Sequence, residues 1–170
     1  MDEPAQTSQI RPRRQWVVVG SPDNVARTID LGFTVQGFKS RQRKKVERMA
    51  PGDRLAYYVT GQKVFAATAV VTSVGFEDHD PIWRSVDPKR ADEDYPWRVH
   101  IAPDLLAIWE DWVPAEPIAR QMAYVQKWPT KHWTLAFQGN LHEVDAADFA
   151  LIRDALAAAM VAEGAAVTAG

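Results

Sequence analysis

Aromatic side chains outside the apolar runs are the first candidates for binding chemistry in this chain. Trp83 stands in an acidic, proline-containing stretch with little apolar company, and Phe38 follows a glycine beside Lys39. An exposed ring can stack on a nucleobase, which contributes about 1–3 kcal/mol per base. Both rings are therefore candidate stacking groups. For Trp83 a second interpretation stays open, in which the loop folds back and the indole is its packing anchor.

A basic segment follows Phe38 directly. From Lys39 to Arg54 there are seven Lys or Arg residues against two Asp or Glu, although the whole chain has a net charge of −2. Such a segment can neutralise phosphates beside a base pocket, with an affinity that falls as salt rises. A charged, solvated surface is the alternative. The candidate phosphate ligands are Lys39, Arg41, Arg43 and Lys44.

Motifs for catalysis are missing from the sequence. It contains no phosphate-binding glycine loop, no G-x-S-x-G elbow and no cysteine, and its four histidines lack the i, i+4 spacing of a helical metal site. Asp78-His79-Asp80 could be drawn as a metal cluster, but in an acidic loop such a run is more often a solvated turn. We therefore expect a protein that is not an enzyme and that has no cofactor and no metal.

A central hairpin must position these groups. Pro51-Gly52-Asp53 is a turn signal, after which Leu55, Tyr57 and Val59 alternate along one face of a strand. The polar break 60–63 contains glycine, and the return run, Val64 to Val71, is almost continuously apolar. Such a run predicts a strand that is covered on both sides, as in a small barrel.

Other elements are predicted along the chain from local patterns. Gln15–Gly20 is a buried strand, and Ser21-Pro22-Asp23 has the residue types of a helix start. Residues 32–39 are strand-like or loop, 75–96 form a long acidic loop, and 105–112 are a strand or an irregular cover. The remaining predictions are a strand at 95–102, a helical turn in 114–121, closing strands at Trp133–Phe137 and Leu141–Val144, and a last helix with the stripe Phe149, Ile152, Leu156 and Met160.

Four stretches together resemble the EVE domain family, which is related to the YTH, ASCH and PUA folds. They are WVVVGSPDN from Trp16, GFTVQGFK from Gly32, the hairpin MAPGDRLAYYVTGQKVFAATAVVTS from Met49, and KHWTLAFQGNLHEVDAADF from Lys131. The resemblance spans Gln15 to Leu156. It implies an α+β, PUA-like fold: a small curved or closed β-barrel flanked by short helices. The excess of strands over helices, without strict βαβ alternation, favours the same class.

The resemblance also implies a function, the capture of a flipped or modified nucleobase in an aromatic pocket. That pocket is built from the first strand–helix junction, the following loop and the long loop after the hairpin. In this hypothesis Trp83 stacks on the base, and Asn24 and Gln36 read its edge. The base-binding positions carried over are Ser21, Asn24, Gln36, Gly37, Phe38, Trp83 and Trp97.

The predicted organisation is a disordered basic N-terminal tail at 1–14, one domain at 15–160 and a flexible C-terminal tail at 161–170. No apolar run is long enough to span a membrane, and the first residues lack the apolar core of a secretory signal. We expect a cytoplasmic monomer or homodimer with nucleic acid, modified DNA or RNA, as its partner.

Two other classes of function remain open at this point. One is a small hydrolase or ligand-binding enzyme that uses the same cavity, with Asp78, His79 or Glu110 as its chemical groups. The other is a protein-interaction domain, in which the acidic loop and the short basic helix or turn predicted at Ser40 to Met49 pair with a partner, or with each other in a homodimer.

Overall fold

A computed structural model describes residues 11–108 and 111–168, with side chains as far as Val161. Residues 1–10 of the predicted tail lie outside the described residues. The same holds for Trp109 in the predicted strand or cover at 105–112, for Glu110, a chemical group of the hydrolase alternative, and for residues 169–170.

The described residues form strands, α-helices and tight 3₁₀ turns. The strands are β1 (Gln15–Gly20), β2 (Val35–Phe38), β3 (Arg54–Val59), β4 (Val64–Val71), β5 (Phe76–Glu77), β6 (Trp97–Leu106), β7 (Val113–Pro114) and β8 (Leu141–Val144). The α-helices are α1 (Pro22–Asp30), α2 (Arg43–Glu47), α3 (Ala115–Ala119) and α4 (Ala146–Thr168). Tight 3₁₀ turns occupy Ser40–Gln42, Pro88–Arg90, Tyr124–Lys127 and Thr130–Phe137.

The strands form one strongly curled, half-barrel sheet in the order β2-β6-β4-β3-β1-β8, with β5 added to β6 and β7 to β4. β1 runs parallel to β3 because α1 and β2 lie between them in sequence, whereas the other pairs are antiparallel. The predicted α+β class with a curved sheet is therefore confirmed.

The central hairpin separates two parts of the core. Leu55 and Tyr57 pack on the inner face of the sheet with Trp16, whereas Ala56 and Tyr58 pack on the other face against α3 and α4. β4 is buried continuously from Phe65 to Ala69, as its unbroken apolar run predicts. The two faces of β3 therefore serve different neighbours.

One predicted strand is wrong. Trp133–Phe137 lies in a 3₁₀ turn, not in a closing strand. Its buried residues Trp133, Ala136 and Phe137 recur at spacings of three and four, which is the helical period and not the alternation of a strand. The short strand at Leu141–Val144 and the helical turn at Ala115–Ala119 do form as expected.

Asp53 of the hairpin turn orders the segment before β1. Its buried carboxylate accepts hydrogen bonds from Arg11 Nη1 at 2.9 Å and from the backbone N–H of Arg14 at 3.0 Å. The described end of the predicted N-terminal tail is therefore held against the domain. At the other terminus α4 continues to Thr168, beyond the boundary expected at 160. No helix of the described ranges is long and apolar enough to cross a membrane.

Candidate functional site

The junction between β1 and α1 places Asn24 under the acidic loop. Ser21 caps α1, because its Oγ accepts a hydrogen bond from the backbone N–H of Asn24 at 3.2 Å. The Asn24 side chain is 8% exposed and points to the loop. Its Nδ2 donates to the carbonyl of Arg84 at 2.8 Å and to the hydroxyl of Tyr95 at 3.3 Å, and its Oδ1 accepts from the Arg84 N–H at 2.9 Å.

Trp83 is buried in the structure, with 2% of its surface exposed. Of the two interpretations left open by the sequence, the structure has the packing anchor and not the exposed ring. The loop folds back, and the indole N–H donates to Thr28 Oγ1 at 3.0 Å. Burial of the large apolar ring is favourable because the one polar group of the indole, its N–H, has a hydrogen-bond partner. Gly37 is needed beside the ring, because a Cβ at that position would lie 2.4 Å from the indole.

Arg98 of β6 organises the acidic loop from beneath. Its side chain is 1% exposed; Nε donates to the carbonyl of Tyr95 at 3.1 Å, and Nη2 donates to the carbonyls of Asp94, at 3.2 Å, and Asp80. The guanidinium carbon lies 5.2 Å from the centre of the Trp83 ring. The sequence carries no local signal for this role, since Arg98 reads as the outward residue of an alternating strand.

Three of the predicted base-binding side chains line one pocket. Asn24, Gln36 and Trp83 come from α1, β2 and the acidic loop. The other lining residues are Val18, Val19, Gly20, Val25, Thr28, Tyr57, Tyr95 and Asn140. The cavity volume is about 10 Å³, roughly the smallest that holds a water molecule, so the pocket is closed. This space is too small for a nucleobase.

Hydrogen bonds inside the closed pocket leave one hydroxyl unused. Gln36 Oε1 accepts from Thr28 Oγ1 at 3.2 Å, and its Nε2 donates to the Gly37 carbonyl at 2.8 Å. The Tyr57 hydroxyl is buried and has no hydrogen-bond partner within the described chain. Burial raises the pKa of Tyr57, so this hydroxyl keeps its proton and can both donate and accept.

Four of the lining residues that the sequence did not predict carry polar side chains. They are Thr28, Tyr57, Tyr95 and Asn140. Tyr57 lies at a core-facing position of β3, where its hydroxyl places a polar atom in an apolar core. A tyrosine at such a position of the alternating pattern is a signal that the sequence does contain. Thr28 and Asn140 have no comparable signal, because their role depends on contacts across the fold.

Phe38 and Trp97 lie outside the pocket lining. Phe38 is fully buried in the core and is not at the tip of a turn, so its expected exposure is wrong. The reason is pairing: β2 joins β6 with Phe38 opposite Trp97, which turns the phenyl ring inward. The Trp97 ring is half-buried, and the guanidinium of Arg43 covers it at 4.8 Å.

The basic segment lies next to the pocket. The backbone N–H of Lys39 donates to Oδ1 of the lining residue Asn140 at 3.0 Å. Burial, and then the neighbouring charge of Arg41, lower the pKa of the Lys39 ammonium. Within the part of the chain that the structure describes, Lys39, Arg41 and Lys44 have no ion-pair partner, whereas Arg43 pairs with Glu47 at 2.9 Å.

Both ring nitrogens of His79 have carboxylate partners in the acidic loop. Nδ1 lies 2.6 Å from Asp94 Oδ2, and Nε2 lies 3.0 Å from Glu77 Oε1, at an exposed position outside the pocket lining. The hydrogen bond to Asp94, followed by that to Glu77, raises the pKa of His79. Among the described residues there is no group of three or more His, Cys, Asp or Glu arranged to hold a metal ion.

Comparisons with known proteins identify the family and the fold. The EVE domain model matches residues 14–155. Among solved structures, the YTH domain of the Zygosaccharomyces rouxii MRB1 protein in complex with N6-methyladenosine RNA has a TM-score of 0.58 at 14% identity, covering 85% of this chain and 86% of that one. Protein PSPTO5229 from Pseudomonas syringae has a TM-score of 0.54 at 15% identity, covering 84% and 99%. A complex of the Mmi1 YTH domain with RNA has a TM-score of 0.58 at 10% identity, covering 89% and 82%.

A comparison with curated proteins gives no match. At the identities of the structural matches, the likeness establishes the fold alone. It confirms the fold that the four sequence stretches imply.

Proposed function

The chain belongs to the EVE domain family, and on that premise we propose that it binds nucleic acid and captures a flipped or modified nucleobase beneath the acidic loop. One observation carries the proposal. Asn24, Gln36 and Trp83, which come from three different elements, line one pocket that also contains the Tyr57 hydroxyl, which has no hydrogen-bond partner in the described chain. A buried polar group without a partner is costly, and a ligand that bonds to it removes that cost.

Structural relatives support the proposal. The fold is shared with YTH domains, two of which are solved as RNA complexes, one of them with N6-methyladenosine RNA. Readers of this type need aromatic and amide side chains in the same cavity, because rings hold the base by stacking and amides read its edge. This pocket contains Trp83 and Tyr95 rings 6.4 Å apart, together with the amides of Asn24 and Gln36.

Base entry requires an exchange of hydrogen bonds. In the closed pocket Asn24 is bonded to Arg84, and Thr28 to the Trp83 indole. When the loop moves outward, these amide and hydroxyl groups become free to bond to a base edge, and the base takes the space near Tyr57. The base must already be unpaired or flipped, because the pocket cannot reach inside a duplex stack.

The basic segment would hold the strand next to the pocket. Among the described residues Lys39, Arg41 and Lys44 form no ion pair, and Lys39 is fixed to the pocket residue Asn140 through its backbone. Arg43 contributes only after it leaves Glu47. Each phosphate neutralised on a single strand steepens the logarithmic salt dependence of binding by about 0.7.

The proposal is tested by fluorescence anisotropy with labelled single strands that carry an unmodified base, a 5-methyl base or an N6-methyl base. We expect one modification to bind at least about tenfold more tightly than its unmodified counterpart, with an affinity that falls with salt. The variant Arg41→Gln should flatten the salt dependence and leave the preference for the modification unchanged. Equal binding of all strands, or none, would reject the base-reading function.

A further inference from the structure

Three arginines from separate parts of the fold converge on a cleft away from the pocket. Arg13 precedes β1, Arg54 begins β3 and Arg153 lies on α4; Gly52, Val70 and Asp104 complete the cleft, whose volume is about 480 Å³. Side chains alternate along β3, so Arg54 points toward α4, whereas Tyr57 points into the base pocket. The cleft and the pocket therefore lie on opposite faces of the sheet.

One arginine of the cleft is already neutralised. Arg153 Nε lies 3.0 Å from Asp104 Oδ2 and its Nη2 lies 3.3 Å from Oδ1, which is a two-point contact. The hydroxyl of Thr68 donates to the same carboxylate at 2.9 Å. Asp104 is thus hydrogen-bonded to Arg153 and Thr68, and its charge also attracts Arg54, which lowers the pKa of the carboxyl further without forming an ion pair.

The other two guanidinium groups keep their hydrogen-bonding capacity. Within residues 11–108 and 111–168, neither Arg13 nor Arg54 forms an ion pair or a side-chain hydrogen bond. Arg54 is nevertheless positioned, because its guanidinium lies 5.5 Å over the ring of Phe149 on α4. A ring contact of this kind orients the plane of the guanidinium and leaves its N–H groups unused.

We propose that this cleft is an anion site for a phosphate-bearing ligand, distinct from the base pocket and independent of the function proposed for it. The cleft holds three guanidinium groups and one carboxylate, and Arg13 and Arg54 form no ion pair within the described ranges. This excess of positive charge favours an anion with several oxygens, and forked N–H donors match phosphate oxygens in pairs. The phosphate could belong to a free phosphate compound or to a nucleic-acid backbone, since the chemistry recognised is the same.

Isothermal titration calorimetry at constant ionic strength tests the site with two probes. Pyrophosphate represents a free phosphate compound, and a short unmodified strand without terminal phosphates represents the backbone. Wild type should bind at least one of them saturably. Arg54→Gln should weaken that binding by about tenfold, and Arg13→Gln by about threefold or more, because each removes charge-assisted hydrogen bonds.

Matched controls separate the site from general charge effects. Arg120→Gln removes an arginine that pairs with Glu116 outside the cleft and should leave both affinities unchanged. Arg13→Gln alters an exposed side chain that has no ion pair or side-chain hydrogen bond to any described residue, so a folding defect would not explain its effect. Tyr57→Phe should keep the affinity for pyrophosphate, whatever it does to base binding. If the cleft variants lose affinity for only one of the two probes, that probe identifies the source of the phosphate. If wild type binds neither probe, or if wild type and both cleft variants bind with equal affinity, the proposal is overturned.

Discussion

The side chain of Asn24 holds the backbone of Arg84 through both of its amide atoms. Nδ2 donates to the Arg84 carbonyl at 2.8 Å and Oδ1 accepts from the Arg84 N–H at 2.9 Å. This pair of bonds ties the first turn of α1 to the acidic loop, next to the residue that fills the pocket. Asn24 therefore holds the acidic loop in the closed state, and we call this pair of hydrogen bonds the latch; the same side chain is a candidate reader of the base.

Asn24→Ala should release the loop. The variant loses both bonds to Arg84, so the Arg84 amide should exchange with solvent at least about tenfold faster, corresponding to a lost contribution of about 1–3 kcal/mol. Hydrogen exchange read by NMR measures this directly. Gln121→Ala, which removes an exposed amide that donates to the Pro117 carbonyl, is the control and should leave Arg84 protected. Unchanged exchange in Asn24→Ala would show that the latch does not hold the loop.

Arg98→Met should destabilise the protein strongly. The substitution keeps much of the buried volume but leaves the carbonyls of Asp94 and Tyr95 without their donor and removes the cation over Trp83. We expect the free energy of unfolding to fall by about 3 kcal/mol or more, since each bond to a charged group contributes about 1.5–3 kcal/mol. Urea denaturation measures the loss. Arg90→Met, at an exposed position of the same loop, should change stability by less than about 0.5 kcal/mol. Equal effects in the two variants would contradict the anchoring role.

The pairing of His79 predicts a pH dependence confined to the loop. Its hydrogen bonds to Asp94 and Glu77 raise its pKa above the usual 6.5. Because the folded pKa exceeds the unfolded one, the stabilisation is complete below pH 6.5 and is lost as the pH rises through the folded pKa. Amide protection of the loop, corrected for intrinsic exchange, should therefore decrease over that window.

His79→Gln should abolish this decrease, whereas His132→Gln, at an exposed position outside the loop, should retain it. Protection must be measured at the loop, because a second histidine affects the stability of the whole protein in the opposite direction. Burial lowers the pKa of His142, so its contribution to stability is lost as the pH falls. An unaltered pH response in His79→Gln would exclude the histidine as the cause.

Local patterns predicted the parts of the fold that depend on neighbours in sequence. The turn at Pro51-Gly52-Asp53, the alternation of Leu55 and Tyr57 and the Ser21 cap each follow from a few adjacent residues, and the structure contains them. Asn24, Gln36 and Trp83 also line one pocket, as the family resemblance implies, although their binding roles stay predictions.

Other features depend on distant contacts and could not be predicted. Trp83 is buried because Thr28, 55 positions away, accepts its N–H and because Arg98 lies against its ring. The inward turn of Phe38 depends on the pairing of β2 with β6. These partners are not visible in the sequence around either aromatic residue, so the sequence predicted an exposed Phe38 and left two interpretations of Trp83 open.

The most direct test compares two tyrosines that are adjacent on β3 and point to opposite faces. Tyr57→Phe removes the unpartnered hydroxyl from the pocket, so the free protein should be as stable as wild type or more stable. Its affinity for the preferred modified strand should nevertheless fall by about tenfold if the hydroxyl bonds to the base. Tyr58→Phe, on the α4 face, should leave that affinity unchanged. Equal affinity in wild type and Tyr57→Phe, or an equal loss in both variants, would contradict capture of the base in this pocket.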